Sequence, residues 1–108
     1  MEEIITVMTT ADNRELLERI GKNLLEKRLV SCVQILGPMS SMYWWKGKIE
    51  VAEEWLSMAR TTESVYPEVE AEIERLHSYE VPEIIGLRVA KVAPAYRKWV
   101  FSEVTFSP

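Results

Sequence analysis

Alternating apolar and polar positions predict a strand and then a helix at the start of the chain. Ile4 to Thr9 is mostly β-branched, which indicates a buried strand. The next helix is expected to begin at Asp12, with Glu15 three residues later completing a capping-box pair. Its apolar residues recur at helical spacing and would share one buried face: Leu16, Leu17, Ile20, Leu24 and Leu25.

The middle of the chain predicts one long β-hairpin. Its arms are Cys32 to Trp45 and Lys48 to Thr61, joined by a turn at Lys46-Gly47. Gly37-Pro38 interrupts the first arm and indicates a bulge or an edge. Apolar residues change phase along the second arm, which implies either a second bulge or a switch of the buried face.

The last third of the chain predicts a helix, a strand and a closing helix. The first helix would bury Val65, Val69, Ile73 and Leu76, while its glutamates, Glu72 among them, cover the outside. Residues 85–89 alternate as a fourth strand, and Pro94 to Val104 predicts the closing helix. The order βαββαβ plus a helix indicates an α+β, ferredoxin-like sandwich. A length of 108 residues suits one domain, residues 1–108.

The hairpin is too long for a compact monomer of this size. A straight arm of 14 residues would reach about 46 Å, whereas a compact domain of this length is about 35 Å across. The tip is the most aromatic stretch of the chain, with Tyr43, Trp44 and Trp45 in succession. An exposed aromatic strand end favours aggregation unless it is covered, so we expect burial against copies of the same chain.

Composition narrows the classes of function. Thirteen Lys and Arg against seventeen Asp and Glu give a net charge of −4, which argues against nucleic-acid binding through phosphates. The chain begins with Glu2 and Glu3 after Met1 and contains no apolar run of membrane-spanning length. A single cysteine, Cys32, excludes an intrachain disulfide. These features predict a cytoplasmic protein that does not bind a membrane.

Two residues carry candidate metal chemistry. His77 falls at a predicted helix end, where it either orders the helix terminus beside Tyr79 or acts as a ligand with Glu80 and Glu83. Cys32 is either a buried, inert thiol or a soft ligand for copper. Catalysis finds little support, because there is one histidine, no nucleophile elbow and no glycine-rich phosphate loop. We therefore expect no enzymatic activity.

Three segments taken together resemble one family. Ser31 to Ile35 (SCVQI), Ser41 to Ile49 (SMYWWKGKI) and His77 to Ile84 (HSYEVPEI) are similar to the signature segments of the CutA divalent-cation-tolerance proteins. The YRKW segment from Tyr96 to Trp99 also fits. The similarity covers nearly the whole chain in the same order, and no single segment carries it alone.

The resemblance implies a homotrimer of ferredoxin-like subunits, similar in architecture to the PII signalling proteins, in which long hairpins of neighbouring subunits pair. It also implies tolerance of copper and other divalent cations, with copper binding attributed to the family. The metal-associated positions correspond to Cys32 and His77, with Glu83 beside them. Residues expected at the inter-subunit cleft or trimer interface are Tyr43, Trp44, Trp45, Lys48, Tyr79 and Trp99.

Two functions of different classes stay open at this point. The protein is either a metal-binding tolerance protein or a trimeric signalling or scaffolding protein whose clefts bind a small ligand or a partner. A metal titration separates the two, because the first predicts saturable binding that is lost with Cys32 or His77.

Overall fold

The computed structural model describes residues 2–107, which form four strands and three helices. In chain order they are β1 (Ile4–Ala11), α1 (Arg14–Glu26), β2 (Cys32–Trp45), β3 (Lys48–Thr62), α2 (Tyr66–Leu76), β4 (Ile84–Arg88) and α3 (Pro94–Glu103). The order and type of these elements confirm the α+β class and the element order predicted from the sequence. No helix within residues 2–107 has the length and apolarity needed to cross a membrane.

The four strands form one antiparallel sheet in the order β2-β3-β1-β4. β1 lies at its centre, where it pairs with β3 from Ile4 opposite Thr62 to Ala11 opposite Trp55. Its other edge pairs with β4 over five residues. β2 and β4 are therefore the edge strands of the subunit, and the long arms of β2 and β3 leave the sheet together.

The main core lies between one face of the sheet and helices α1 and α2. Alternate residues of β1, Ile5 and Val7, point into it together with Ala59 of β3. The helices contribute fully buried side chains such as Leu17 and Val69. Burying a side chain the size of Leu17 contributes about 1.5–3 kcal/mol. This core fixes the root of the hairpin and the end of α2, which together position the site described below.

The opposite face of the sheet is only partly covered. α3 packs at one end of it, where Val100 and Val104 enclose Ile4 in a second, smaller core. Beyond α3, this face and the hairpin tip leave large apolar side chains exposed: Leu36, Met42, Trp44, Ile49, Val51, Ile85 and Leu87. A contiguous apolar surface of this kind marks an interaction site more often than free protein surface.

The hairpin follows its predicted form. Its turn lies at Lys46 and Gly47, which both have positive φ (50° and 79°), as a two-residue hairpin turn requires. The predicted bulge is confirmed, because the register between β2 and β3 shifts between Leu36 and Met39. Gly37 lies in this bulge with φ 147°, and a Cβ at that position would come within 2.5 Å of the Trp55 ring. The hairpin contributes to a longest molecular dimension of 44 Å.

Two local predictions need correction. Asn13, not Asp12, caps α1, since its Oδ1 accepts a hydrogen bond of 3.1 Å from the backbone N–H of Leu16. Glu72 is buried and not on the outside of α2, because its carboxylate is held by Lys27 and Arg75.

The phase change along β3 does not come from a second bulge in that strand. β3 pairs continuously with β2 from Lys48 to Glu54 and with β1 from Trp55 to Thr62, and the extra residue of the one register shift lies in β2. The apolar residues before the change, Ile49 and Val51, are exposed. Ser57 and Ala59 are buried on alternate positions, whereas Glu54 is buried three residues before Ser57.

Candidate functional site

A cleft of about 700 Å³ lies between the outer half of the hairpin and the segment that follows α2. The hairpin side comprises residues 41–45 of β2 and Glu54 of β3, and the opposite side comprises residues 79–83. Thr10 at the end of β1 completes the lining. The volume falls within the usual range for sites that bind small molecules, which is about 300–1,000 Å³.

Glu54 and Tyr79 join the two walls of this cleft. The Tyr79 hydroxyl donates a hydrogen bond of 2.6 Å to Oε2 of Glu54. Glu54 is only 5% exposed, and within residues 2–107 it forms no ion pair with a lysine or an arginine. Burial, and next the hydrogen bond to Glu54, raise the pKa of Tyr79 above its ordinary value, so this hydroxyl stays protonated and remains a donor.

His77 positions Tyr79. It ends α2, and its backbone N–H still donates to the carbonyl of Ile73. Its ring Nδ1 accepts a hydrogen bond of 3.0 Å from the backbone N–H of Tyr79, which leaves Nε2 as the donor to the carbonyl of Thr10 at 2.8 Å. The two rings lie 4.7 Å apart between centroids. Both ring nitrogens therefore have partners within the chain, and a metal would have to displace one of them.

Cys32 lies in a different part of the molecule from His77. It begins β2 and pairs with Arg60, which in turn pairs with Thr6. Thr6 precedes the Thr10 partner of His77 by four residues along β1, a distance of about 13 Å. The Cys32 Sγ is 3.5 Å from the hydroxyl of Tyr96 on α3. Within one subunit, the thiol and the imidazole do not meet.

The other residues expected from the sequence fall into two groups. The cleft is lined by Tyr43, Trp44, Trp45, Tyr79, Glu80 and Glu83. Lys48 and Trp99 are outside this lining: Lys48 is paired with Trp45 near the hairpin turn, and Trp99 stacks at 5.5 Å on Tyr96 of α3.

Sequence reasoning missed Glu54. The adjacent pair Glu53-Glu54 predicts a solvated strand edge, yet only Glu53 is exposed. The available signal was the alternation of a strand, which turns two successive carboxylates toward opposite faces. That alternation puts one carboxylate on each face of the strand, but it does not indicate which of them meets the Tyr79 segment.

The carboxylates of the cleft do not form a metal cage. Within residues 2–107, no group of three or more His, Cys, Asp or Glu side chains lies close enough together to hold an ion. Metal binding within a single subunit would thus lack the three or four ligands of a typical tight site. The arrangement instead combines aromatic rings with separate carboxylates, a surface suited to binding and orienting a cationic molecule.

Comparison with known proteins identifies the family. The family model described as CutA1 divalent ion tolerance protein matches residues 5–103. The divalent-cation tolerance protein CutA of Thermotoga maritima is 40% identical over 101 residues, covering 94% of this chain and 99% of the relative.

Solved structures agree with the family match. The periplasmic divalent cation tolerance protein CutA of Archaeoglobus fulgidus superposes with a TM-score of 0.90 at 36% identity, covering 94% of this chain and 98% of that one. CutA1 of Oryza sativa superposes with a TM-score of 0.92 at 30% identity, covering 97% and 96%. The match of sequence and fold over nearly the full length shows that this chain belongs to the CutA1 family of divalent ion tolerance proteins.

Proposed function

We propose that this protein acts in tolerance of divalent cations as a homotrimer of single-domain, ferredoxin-like subunits that binds copper or another divalent ion. Membership of the CutA1 family is the observation that carries the tolerance function. A cytoplasmic location and the absence of enzymatic activity stay predictions from the sequence.

The exposed apolar hairpin supports self-association. Met42 pairs with Val51 and Trp44 with Ile49, so these four side chains form two adjacent apolar cross-strand pairs, each at least 62% exposed. Covering them with the same surfaces of neighbouring subunits removes this area from water and follows the closed symmetry of most oligomers. A cyclic trimer would also bring the cleft beside a neighbouring subunit.

The few side chains that could bind copper support only a modest affinity. Each chain supplies one thiol, Cys32, and one imidazole, His77, and these are in different places. A thiolate at Cys32 would suit Cu(I), whereas His77 with Glu83 would suit Cu(II) or zinc. A site richer in ligands would have to recruit side chains from more than one subunit.

Calorimetric titration with copper tests the metal-binding proposal. We expect weak to moderate saturable binding to the wild type, with reduced binding in Cys32→Ser, His77→Ala or Glu83→Gln. Binding through His77 requires the neutral imidazole, because a protonated ring nitrogen cannot bind a metal. Identical isotherms for the wild type and all three variants would exclude these residues as ligands.

A second function is favoured by the cleft itself. A trimeric signalling or scaffolding protein, similar to the PII proteins, would bind a small ligand or a partner in its clefts. The supporting observation is a cleft of about 700 Å³ with aromatic walls but without a metal-binding cluster in residues 2–107. This second function would be favoured if the copper titration gave less than one ion per subunit and if the three substitutions did not change the binding.

A further inference from the structure

The cleft defined above has an uncompensated negative charge. Its lining contains the carboxylates of Glu54, Glu80 and Glu83 and no lysine, arginine or histidine side chain from residues 2–107. The same lining contains the rings of Tyr43, Trp44, Trp45 and Tyr79. Aromatic faces and carboxylates both attract cations, the former through the ring quadrupole and the latter through full charge.

Glu54 is the most deeply buried of these three carboxylates. It is only 5% exposed, and its one hydrogen-bond partner in residues 2–107 is the neutral hydroxyl of Tyr79. A buried carboxylate is costly to ionise unless a positive group lies beside it. Within residues 2–107 no lysine, arginine or histidine pairs with Glu54, so a cation that pairs with it in the cleft would have to come from outside these residues.

The spacing of the carboxylates argues against a single small ion as the occupant. Divalent metals need several oxygen ligands at about 2.0–2.6 Å, and no suitable cluster exists within residues 2–107. Carboxylates that line one cleft but do not meet at one point would each pair with a different positive group of the same ligand. The aromatic rings between them match an apolar linker between those charges.

The hairpin already shows that its aromatic end accepts an ammonium group. The Lys46 ammonium lies 5.7 Å from the centroid of the Trp45 ring, within the range of a cation–π contact. Trp45 is also part of the cleft lining, whereas Lys46 is not. A primary ammonium is thus a chemical group that this wall contacts within the chain itself.

We propose that the cleft binds a linear aliphatic polyamine in its polyammonium form. One ammonium group pairs with Glu54 beside the Tyr79 hydroxyl, the methylene chain lies along Tyr43 and Trp45, and another ammonium group pairs with Glu80 or Glu83. The inference rests on the second proposed function, a small ligand in the cleft; it shares no residue with copper binding at Cys32 and shares only Glu83 with copper binding at His77.

Calorimetric titration of the full-length protein with spermidine tests this assignment. Two reference probes separate the contribution of the aliphatic chain from that of the positive charge. The first, 1,8-octanediol, has an aliphatic chain without charge, and the second, Mg²⁺, has charge without a chain. We expect saturable binding of spermidine, at least about tenfold tighter than that of either probe at matched ionic strength. Binding of 1,8-octanediol or Mg²⁺ as tightly as spermidine would overturn the proposal.

Isosteric variants locate the site. Glu54→Gln should weaken spermidine binding at least about tenfold, and Glu83→Gln should weaken it by a smaller factor. Glu26→Gln removes the same charge from an exposed position at the end of α1 and should change the affinity less than about twofold. Equal affinities of Glu54→Gln and Glu26→Gln would overturn the assignment to this cleft.

Two measurements keep the test independent of folding and of metal binding. Circular dichroism establishes whether Glu54→Gln folds. If it does not fold, the spermidine affinity of Glu83→Gln is compared with that of Glu26→Gln, and equal affinities would overturn the assignment to this cleft. Copper titration of the same samples tests the metal proposal separately. Loss of spermidine binding in Glu54→Gln with unchanged copper binding supports the polyamine site, and the absence of spermidine binding to the wild type overturns it whatever copper does.

Discussion

Trp44 lies directly opposite Ile49 in the hairpin register, and their side chains are 72% and 62% exposed. Cross-strand pairing of an aromatic with a β-branched residue contributes only about 0.2–1 kcal/mol, whereas burial of large apolar side chains contributes more. In a single subunit the pair has no such cover from either hydrophobic core. We therefore expect the hairpin arm to contact a surface outside its own chain.

We expect the wild type to be a trimer in solution. Light scattering at micromolar concentration should give about three times 12.5 kDa, and the double variant Trp44→Ser, Ile49→Ser should shift the mass toward that of one subunit. Leu25→Ser, at a partly exposed position on α1, is the matched control and should remain trimeric. A monomeric wild type would contradict the proposed assembly.

We expect Gly37→Ala to destabilise the protein far more than Gly47→Ala. Both glycines have positive φ, but a Cβ at Gly37 would overlap the Trp55 ring, whereas a Cβ at Gly47 meets no atom within 4 Å. Overlap and backbone strain together should cost about 2–4 kcal/mol at Gly37, against about 1 kcal/mol at Gly47. Urea unfolding curves give both values; similar losses in the two variants would show that Trp55 moves aside freely.

We expect the stabilising effect of Glu72 to depend on pH. Hydrogen bonds from Arg75, opposed by burial and joined by Lys27, lower the pKa of Glu72 from 4.5 to about 2. A folded-state pKa below the ordinary value means that the stabilisation is complete above pH 4.5 and is lost as the pH falls toward 2.

Thermal unfolding of Glu72→Gln measures this dependence. The substitution should lower the free energy of unfolding by about 1–3 kcal/mol at pH 7, a range that allows for solvent around the exposed ends of Lys27 and Arg75. The difference from the wild type should shrink steadily below pH 4.5. Glu74→Gln, on the exposed side of α2, should show neither effect. A pH-independent difference would mean that Glu72 acts through packing alone.

We expect His77 to carry its proton on Nε2 when neutral. The backbone N–H of Tyr79 donates to Nδ1, so only the Nε2–H tautomer satisfies both hydrogen bonds of the ring. Long-range ¹H–¹⁵N correlation spectra above pH 8 distinguish the two tautomers by the ¹⁵N shifts of the ring. A predominant Nδ1–H signal would contradict the contact with Tyr79 and remove the basis for its positioning role.

The sequence predicted the elements of this fold well because they follow from local periodicity. The β-branched run at Ile4 and the stripe from Leu16 to Leu25 each describe one buried face, and the structure buries both except for Leu25, which is 40% exposed. The Gly37-Pro38 interruption likewise marks the bulge without tertiary information. Where two nearby residues competed for one role, as at the cap of α1, the choice of Asn13 over Asp12 depended on φ and ψ that a pattern does not contain.

The candidate site was predicted less well because it depends on contacts between distant segments. Glu54 and Tyr79 are 25 residues apart, and nothing in either local pattern indicates that a strand carboxylate meets the loop after α2. Glu72 was assigned to solvent for the same reason, since its partner Lys27 is 45 residues away, directly after α1. The resemblance to a family implied an inter-subunit cleft near Tyr43, Trp45 and Glu83. The single chain brings these three residues into one lining, and the part that a neighbouring copy would contribute stays a prediction.

The register shift in the hairpin has a consequence for how this protein can change over evolutionary time. Within the described chain, residues 37–54 contribute no member to either hydrophobic core, although they make up the outer parts of the two longest strands and the turn between them. Apart from Gly37, where a side chain would meet the Trp55 ring, and the buried Glu54, substitutions there do not disturb either core and are selected through what the arm touches. The same scaffold can therefore acquire new ligands or new neighbours by varying one protruding segment, while the folding of its body stays intact.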